Sequence, residues 1–225
     1  MVTVFMALFD ELVRLKRVVF LSPYANFNLV FGLSLAKHLL KFLHSIYMFC
    51  EFDIPSSVLS ILDESEIKRL YISKTVHNVN ISNAEGVIMI LDKEVNNMYR
   101  ILRIDIKYLF IFIPRLKLIK DIHDLIIYRV RKASTGIYQF LTKERRYFVK
   151  VIGTQVIEVS IPHNLELIVV ELNDIINTFG SIKASDFVKY CMRKMNLGRE
   201  ECVDLVRKAI SMGIIKYRGG YLTLT

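Results

Sequence analysis

Residues 17–42 read RVVFLSPYANFNLVFGLSLAKHLLKF and place a short apolar strand, a polar loop and a long helix in immediate succession. The run 17–21 has the length and the β-branched, apolar composition of a buried strand. In 29–42 the apolar residues return every three or four positions, which predicts a helix with one buried face. A strand–loop–helix unit predicts an α/β fold in which the segment 22–28 lies at the edge of the sheet.

The loop 22–28 has the position and length of a phosphate-binding loop but lacks its chemistry. A working loop, G-x-x-x-x-G-K-[ST], uses glycines to bring backbone N–H groups around phosphates, a lysine to neutralise them and a hydroxyl to bind magnesium. In an alignment with that motif, Ser22 and Phe27 replace the glycines, Asn28 replaces the lysine and Leu29 replaces the hydroxyl residue. We therefore predict no ATP hydrolysis, and we expect Phe27 to occupy the space of the phosphate tail.

The composition favours a globular protein without a metal or disulfide framework. The chain has 225 residues, of which 53% are apolar, enough for one large domain or for a domain with a small appendage. Cys50, Cys191 and Cys202 and the five histidines show no metal-ligand spacing, so we expect buried cysteines, no metal and no cofactor. Polar residues interrupt the longest apolar stretch and the N-terminus lacks a signal-peptide layout, which predicts a cytosolic protein without membrane contact.

Positive charge is concentrated in one part of the chain. The formal net charge is +9, and residues 100–150 hold 13 Lys and Arg against 4 Asp and Glu, whereas 1–99 hold 9 against 10 and 151–225 hold 9 against 8. A basic face attracts polyanions by counterion release, and nucleic acid is the commonest such partner. The alternative is a solvated, lysine-rich surface. The residues predicted to contact DNA here are Arg129, Arg131, Lys132, Lys143, Arg145 and Arg146.

The order of predicted elements divides the chain into two domains. Over residues 1–160 helices and strands alternate, and apolar runs such as 87–91 and 108–113 are typical of strands buried on both faces of a parallel sheet. Beyond residue 121 the strands become shorter and are separated by turn signals, which predicts an antiparallel meander. The second domain comprises residues 161–225.

Residues 161–225 follow a different order: helix, short extended piece, helix, tight turn, helix and hairpin. The third helix, 199–211, carries an apolar stripe, and Gly219-Gly220 is a pair that two-residue hairpin turns favour. This order resembles the winged helix-turn-helix, in which the third helix often enters the major groove and the hairpin lies along the DNA backbone. The resemblance implies DNA contact, although acidic neighbours such as Glu200 leave protein docking as the alternative. The basic residues concerned are Arg199, Arg207, Lys208, Lys216 and Arg218.

Four features in order make residues 5–160 similar to the RecA/RadA superfamily, most closely to its small archaeal RadB-like and KaiC-like paralogues. The features are the lead-in LFDEL at 8–12, the loop and helix 22–40, the strand YMFCE at 47–51 and the strand GVIMILD at 86–92. The resemblance implies a RecA-like, mostly parallel sheet with late antiparallel strands. It also implies that Glu51 stands at the water-activating carboxylate and Asp92 at the position that orients magnesium. Without the resemblance, Glu51 and Asp92 are more simply explained as polar residues at the ends of strands.

Three other classes of protein fit part of the sequence. An inactive DHH phosphoesterase, resembling a replication-fork subunit, also begins with strand, loop and helix, but it leaves Glu51 and the late antiparallel strands unexplained. A transcription regulator with a Rossmann-like sensor domain and a winged helix would form a dimer and recognise a specific promoter. An ordinary enzyme is disfavoured because the sequence offers no nucleophile–base–acid set, glycine-rich cofactor loop or metal cluster.

Together these patterns predict a catalytically inactive RecA-like core joined to a winged helix. We expect it to act as a DNA-binding or adaptor subunit in DNA recombination, repair or replication. Its expected partners are DNA and a protein of the same complex, and the sequence leaves a homodimer open.

Overall fold

A computed structural model of the chain describes residues 7–74, 84–92, 106–115, 125–134, 136–142, 146–159 and 163–224. The chain divides into two compact units. The first consists of Met1–Arg131 and Gln139–Glu158, and the second of Lys132–Tyr138 and Val159–Thr225. The predicted division into a domain of residues 1–160 and a domain of residues 161–225 stays a prediction.

The first unit begins with alternating helices and strands and continues in strands. The described elements of residues 7–158, in which the end of β6 and the start of β7 belong to the second unit, are α1 (Ala7–Leu15), β1 (Arg17–Leu21), α2 (Ala25–Leu39), β2 (Ile46–Cys50), α3 (Ser56–Leu59), α4 (Glu64–Ile67), β3 (Leu70–Ser73), β4 (Gly86–Ile90), β5 (Tyr108–Ile113), β6 (Ile126–Ser134), β7 (Ile137–Leu141), β8 (Arg146–Ile152) and β9 (Gln155–Glu158). Sequence reasoning missed α4. The signal was present, because Asp63 and Glu66 form a capping box at its start.

Nine strands form one sheet in the order β3-β2-β4-β5-β1-β6-β7-β8-β9. β1 lies between β5 and β6 and is parallel to both, with Val19 opposite Ile111 on one side and Ile127 on the other. β2 is parallel to β3 and β4, and β4 is parallel to β5. The final pair, β8 and β9, is antiparallel. The predicted α/β class, a mostly parallel sheet with late antiparallel strands, is therefore confirmed.

Both faces of the central strands are buried. Every residue of β4 and β5 is buried, as their continuous apolar runs predicted. On one face, the Phe20 ring stacks on Phe112 with 4.4 Å between centroids and meets Phe140 edge-on at 5.8 Å. Val19, the preceding residue, belongs to a second apolar cluster with Met89. Because neighbouring side chains on a strand point to opposite faces, β1 supplies apolar residues to both sides of the sheet.

Gly32 allows α2 to pack closely against the sheet. A Cβ atom at this position would lie 2.9 Å from Ile90 Cδ1 and 3.3 Å from Met48 Cε, so a larger residue would displace these side chains. Glycine in a helix interior costs about 1 kcal/mol relative to alanine. The close approach to β2 and β4 accounts for its presence. Just beyond the C-terminal end of α2, the Arg69 guanidinium donates a hydrogen bond to the Leu40 carbonyl at 2.5 Å.

A buried carboxylate links α1 to the late strands. Glu11 is 7% exposed and accepts hydrogen bonds from the Tyr128 hydroxyl at 2.6 Å and from the Tyr147 hydroxyl. The Arg14 guanidinium, itself largely exposed, lies 3.6 Å from the same carboxylate. A carboxylate is tolerated in the interior only with such partners. The network therefore fixes α1 against β6 and β8.

Removal of the Glu11 carboxylate is expected to destabilise the first unit. In Glu11→Ala the buried Tyr128 hydroxyl loses this acceptor, which lowers the free energy of unfolding by about 1–3 kcal/mol. Arg14→Ala removes only an exposed ion-pair partner and is the matched control, with an expected effect below about 1 kcal/mol. Urea denaturation followed by circular dichroism measures both variants. Equal effects would contradict a role for the network.

The second unit contains, within its described residues, α5 (His163–Phe179), β10 (Ile182–Lys183), α6 (Ala184–Met195), α7 (Arg199–Ser211), β11 (Ile215–Arg218) and β12 (Tyr221–Leu224). β12 is the central strand of a three-stranded sheet and is antiparallel to β10 and β11. Gly219 and Gly220 join β11 to β12 with φ values of 57° and 89°, the left-handed values that a two-residue turn of this kind needs. The helices and the hairpin lie where the sequence predicted them.

The cysteines are core residues. Cys50, Cys191 and Cys202 are all buried and free, as the sequence predicted. Burial raises the pKa of each thiol, that of Cys191 to about 12. A thiol that stays protonated in an apolar interior behaves as a small hydrophobic side chain.

The native chain is expected to resist alkylation at Cys191. The thiolate is the reactive form, and a pKa of about 12 keeps the thiol protonated at pH 8, with reactivity rising only as the pH approaches 12. Iodoacetamide treatment at pH 8 followed by mass spectrometry should label Cys191 only after unfolding in urea. Labelling of the native chain at the unfolded rate would contradict its buried position.

Candidate functional site

The carboxyl ends of β1, β2, β4 and β5 meet at one edge of the sheet, the carboxyl edge. Glu51 follows β2 there, and Asp92 lies two residues beyond the end of β4. The Asp92 backbone N–H donates to Glu51 Oε2 at 2.6 Å, and the Glu51 N–H donates to the Ile90 carbonyl at 3.2 Å. The structure thus brings together the two acidic residues that the sequence singled out, and both are exposed.

The segment after β1 is shorter than predicted. α2 begins at Ala25 rather than at residue 29, so the loop is reduced to 22–24. This part of the chain contains no glycine, and its residues continue the helix at little cost. The Asn28 N–H donates to the Tyr24 carbonyl at 2.9 Å in the first helical turn. The predicted helix start is therefore wrong, and one N–H that a phosphate loop would present is used within the helix.

The side chains that replace the phosphate-binding residues face inward. Asn28, at the lysine position, is 2% exposed and donates from Nδ2 to the Ser22 carbonyl at 3.1 Å. Contrary to the expectation for the phosphate tail, Phe27 packs into the aromatic core, with its ring centroid 5.5 Å from that of Phe31 and 5.7 Å from that of Phe140. Leu29, at the hydroxyl position, is buried as well. The side chains at these three positions are therefore used for packing and for a hydrogen bond within the segment 22–28.

Two polar atoms of the segment 22–28 are buried without a hydrogen-bond partner among the described residues. They are Ser22 Oγ and Asn28 Oδ1, in residues that are 0% and 2% exposed. Buried polar groups are normally paired, and each unpaired one costs about 1–3 kcal/mol. Stability alone therefore does not account for polar side chains at these two positions.

Part of the predicted DNA-binding surface lies near the carboxyl edge. Arg129 is opposite Leu21 in the β1–β6 register and is therefore level with the end of β1. Arg131, two residues further, points to the same side of the strand. Both arginines and Lys132 are exposed. Lys143, Arg145 and the side chain of Arg146 lie outside the described residues.

In the second unit the predicted basic residues are exposed but do not share one surface. Arg199 and Arg207 line a groove between α6 and α7, which we call the α6–α7 groove. Lys208 follows Arg207 on the helix and projects about 100° further around it, and it does not line the groove. Lys216 and Arg218 are exposed on β11.

The α6–α7 groove is a cavity of about 620 Å³ with an apolar floor. Tyr217 of β11 also lines it and is 58% exposed. Sequence reasoning assigned this side of α7 to basic residues and missed the floor. The floor residues are Val188 and Met192 of α6 and Val203, Val206 and Ile210 of α7.

A signal for this groove was present in α6. Ala184, Val188 and Met192 recur every four residues, beside the buried Phe187 and Cys191. The apolar face of α6 is therefore wider than its packing against the core needs, which is typical of a helix with a second packing surface.

The described residues include no group of three or more His, Cys, Asp and Glu that could hold a metal ion. They also include no helix with the length and apolar character needed to cross a membrane.

Comparison of the chain with protein-family models, curated proteins and solved structures found no match.

We expect no binding of ATP, even after the lysine position is restored. Asn28→Lys would place an ammonium at a residue that is 2% exposed and should lower the melting temperature without creating a phosphate site. Asn26→Lys, on the exposed side of the same helical turn, is the matched control and should retain the original melting temperature. Isothermal titration with ATP and magnesium tests the unchanged chain and both variants. Micromolar binding by any of them would contradict the degenerate-loop interpretation.

Proposed function

We propose that this chain is a catalytically inactive RecA-like paralogue that acts as a DNA-binding and adaptor subunit in DNA recombination, repair or replication. The observation that carries the proposal is the carboxyl edge, where Glu51 and Asp92 are adjacent while the neighbouring loop has lost its phosphate-binding chemistry. A carboxylate pair beside a closed loop fits a former nucleotide site better than two unrelated strand ends.

The sheet supports the RecA-like part of the proposal, because the resemblance implies a mostly parallel sheet with late antiparallel strands and the chain has both. The buried polar atoms of Ser22 and Asn28 add support, because a former binding loop explains polar residues that stability does not require.

The inactivity of the proposed site has a physical basis. Catalysis of phosphoryl transfer depends on positioning and on neutralising charge at the phosphates. Asn28 supplies no charge and donates its amide to the Ser22 carbonyl, while its N–H is used within α2. Glu51 and Asp92 alone would repel a nucleotide phosphate, so we assign the site no enzymatic role.

The charge distribution supports DNA contact by the first unit. Arg129 and Arg131 lie on β6, and Asp92 follows β4, three strand spacings away in the sheet. Three spacings amount to about 14 Å, more than the Debye length of about 10 Å at 0.1 M salt. The carboxylates therefore do not cancel the attraction of the two arginines for phosphate groups.

The second unit supports the remaining part of the proposal. Its order of helices, its central strand β12 and its glycine turn resemble the winged helix-turn-helix. Such a module fits contact with DNA or with a protein partner, and a homodimer and a cytosolic location belong to the same proposal. The residues proposed for contact in this unit are Arg199, Arg207, Lys208, Lys216 and Arg218.

Charge reversal on β6 is expected to weaken DNA binding. In a double variant, Arg129→Glu with Arg131→Glu, the affinity for single-stranded DNA should fall and the slope of log K against log salt should flatten by about 0.7 for each phosphate that the protein no longer neutralises. Fluorescence anisotropy with labelled single-stranded DNA over a series of salt concentrations measures both quantities. Reversal of Arg145 and Arg146 should act in the same direction.

A matched control reverses two exposed lysines elsewhere on the first unit, Lys41→Glu with Lys68→Glu. This double variant makes the same change in net charge and should keep most of the affinity and the slope. Equal reductions of affinity in both double variants would indicate a general effect of net charge. Unchanged affinity in the arginine variant would point to an adaptor without DNA contact through β6.

A further inference from the structure

The floor of the α6–α7 groove is apolar surface open to solvent. Val188, Met192, Val203 and Ile210 line it and are only partly buried, and the Tyr217 ring beside them is 58% exposed. The volume of the groove is that of a binding site, because ligand pockets in proteins have volumes of about 300–1,000 Å³. Its cavity of about 620 Å³ lies inside this range.

The ionisable residues that line the groove are, apart from Tyr217, all basic: Lys189, Arg199 and Arg207. Lys189 lies 3.6 Å from Asp186 and Arg207 lies 3.5 Å from Asp204, and every member of both pairs is more than half exposed. Exposed ion pairs of this kind contribute little to stability, so their side chains exchange partners easily. Arg199 makes no ion pair with a described residue. The three cations are therefore available to acidic groups of a partner.

The surroundings of the groove disfavour a DNA duplex as its occupant. Phosphates need cationic or N–H donors across the contact surface, and the floor supplies apolar side chains instead. An apolar strip bordered by cations complements an amphipathic helix, which docks through side chains spaced i, i+3, i+4 and i+7.

We propose that the α6–α7 groove binds an amphipathic helix of a partner protein, with apolar side chains on the floor and Asp or Glu residues paired with Arg199, Arg207 and Lys189. This inference deepens the adaptor role proposed above and rests on it. It assigns the second unit to protein docking and leaves DNA contact to the first.

The test uses the full chain and two synthetic, fluorescein-labelled peptides. Both peptides carry leucines with the i, i+3, i+4, i+7 spacing of a docking helix. One has glutamates on the flanks of the leucine stripe, and the other has lysines at the same positions. Fluorescence anisotropy should show at least about tenfold tighter binding of the acidic peptide. Equal affinities, or no binding of the acidic peptide below about 1 mM, would overturn the proposal.

Two variants of the second unit locate the binding site. Arg199→Glu places an acidic residue at the first position of α7, where it suits the helix dipole, so the variant should fold normally by circular dichroism. It should lose at least about tenfold in affinity for the acidic peptide. Arg193→Glu makes the same charge change at an exposed residue of α6 that does not line the groove, and it should change the affinity less than about twofold. The same reduction in both variants would overturn the assignment to the groove.

Competition separates this proposal from the proposed function. If the first unit binds DNA and the groove binds the peptide, the β6 double variant loses DNA affinity and keeps peptide affinity. Displacement of the peptide by duplex DNA, together with loss of duplex binding in Arg199→Glu, would identify DNA as the occupant and overturn the docking proposal. If the chain self-associates in sedimentation and Arg199→Glu abolishes that association, the occupant of the groove is a second copy of the chain. That outcome would also overturn the docking proposal.

Discussion

The packing of α2 against the central sheet is the interaction on which the properties of the first unit depend. Gly32 lets the helix approach Ile90 closely, and Phe27 and Phe31 add their rings to the aromatic layer around Phe20. Burial of one such ring contributes about 1.5–3 kcal/mol, whereas an asparagine disfavours a helix by no more than about 0.7 kcal/mol. The helix therefore starts at Ala25, and the shape of the loop follows from core packing.

This constraint also shapes the carboxyl edge of the sheet. Once Phe27 belongs to the core, the chain before it has only a short loop in which to turn, and Asn28 closes that loop through the Ser22 carbonyl. Glu51 and Asp92 follow other strands, so their positions do not depend on this loop. The edge therefore carries acidic residues near β4 and exposed arginines on β6.

The surfaces proposed for binding on the two units differ physically. Contact through the β6 arginines depends on charge and weakens with salt. The α6–α7 groove combines an apolar floor with cations at its margins, so much of its binding free energy would come from burial and would survive salt. The proposed adaptor role requires DNA and a partner protein to be held at separate surfaces, and the two proposed surfaces would meet that requirement.

The sequence by itself determined the class of fold and most of its elements. Continuous apolar runs such as 108–113 predicted strands buried on both faces, Gly219-Gly220 predicted the hairpin, and spacing placed Glu51 and Asp92 at strand ends. Only the tertiary structure decided where α2 begins and how the apolar face of α6 is used, because both depend on side chains distant in sequence. Local propensity treats Asn26 and Asn28 as loop residues, and only the aromatic core around Phe140 shows why that segment is helical.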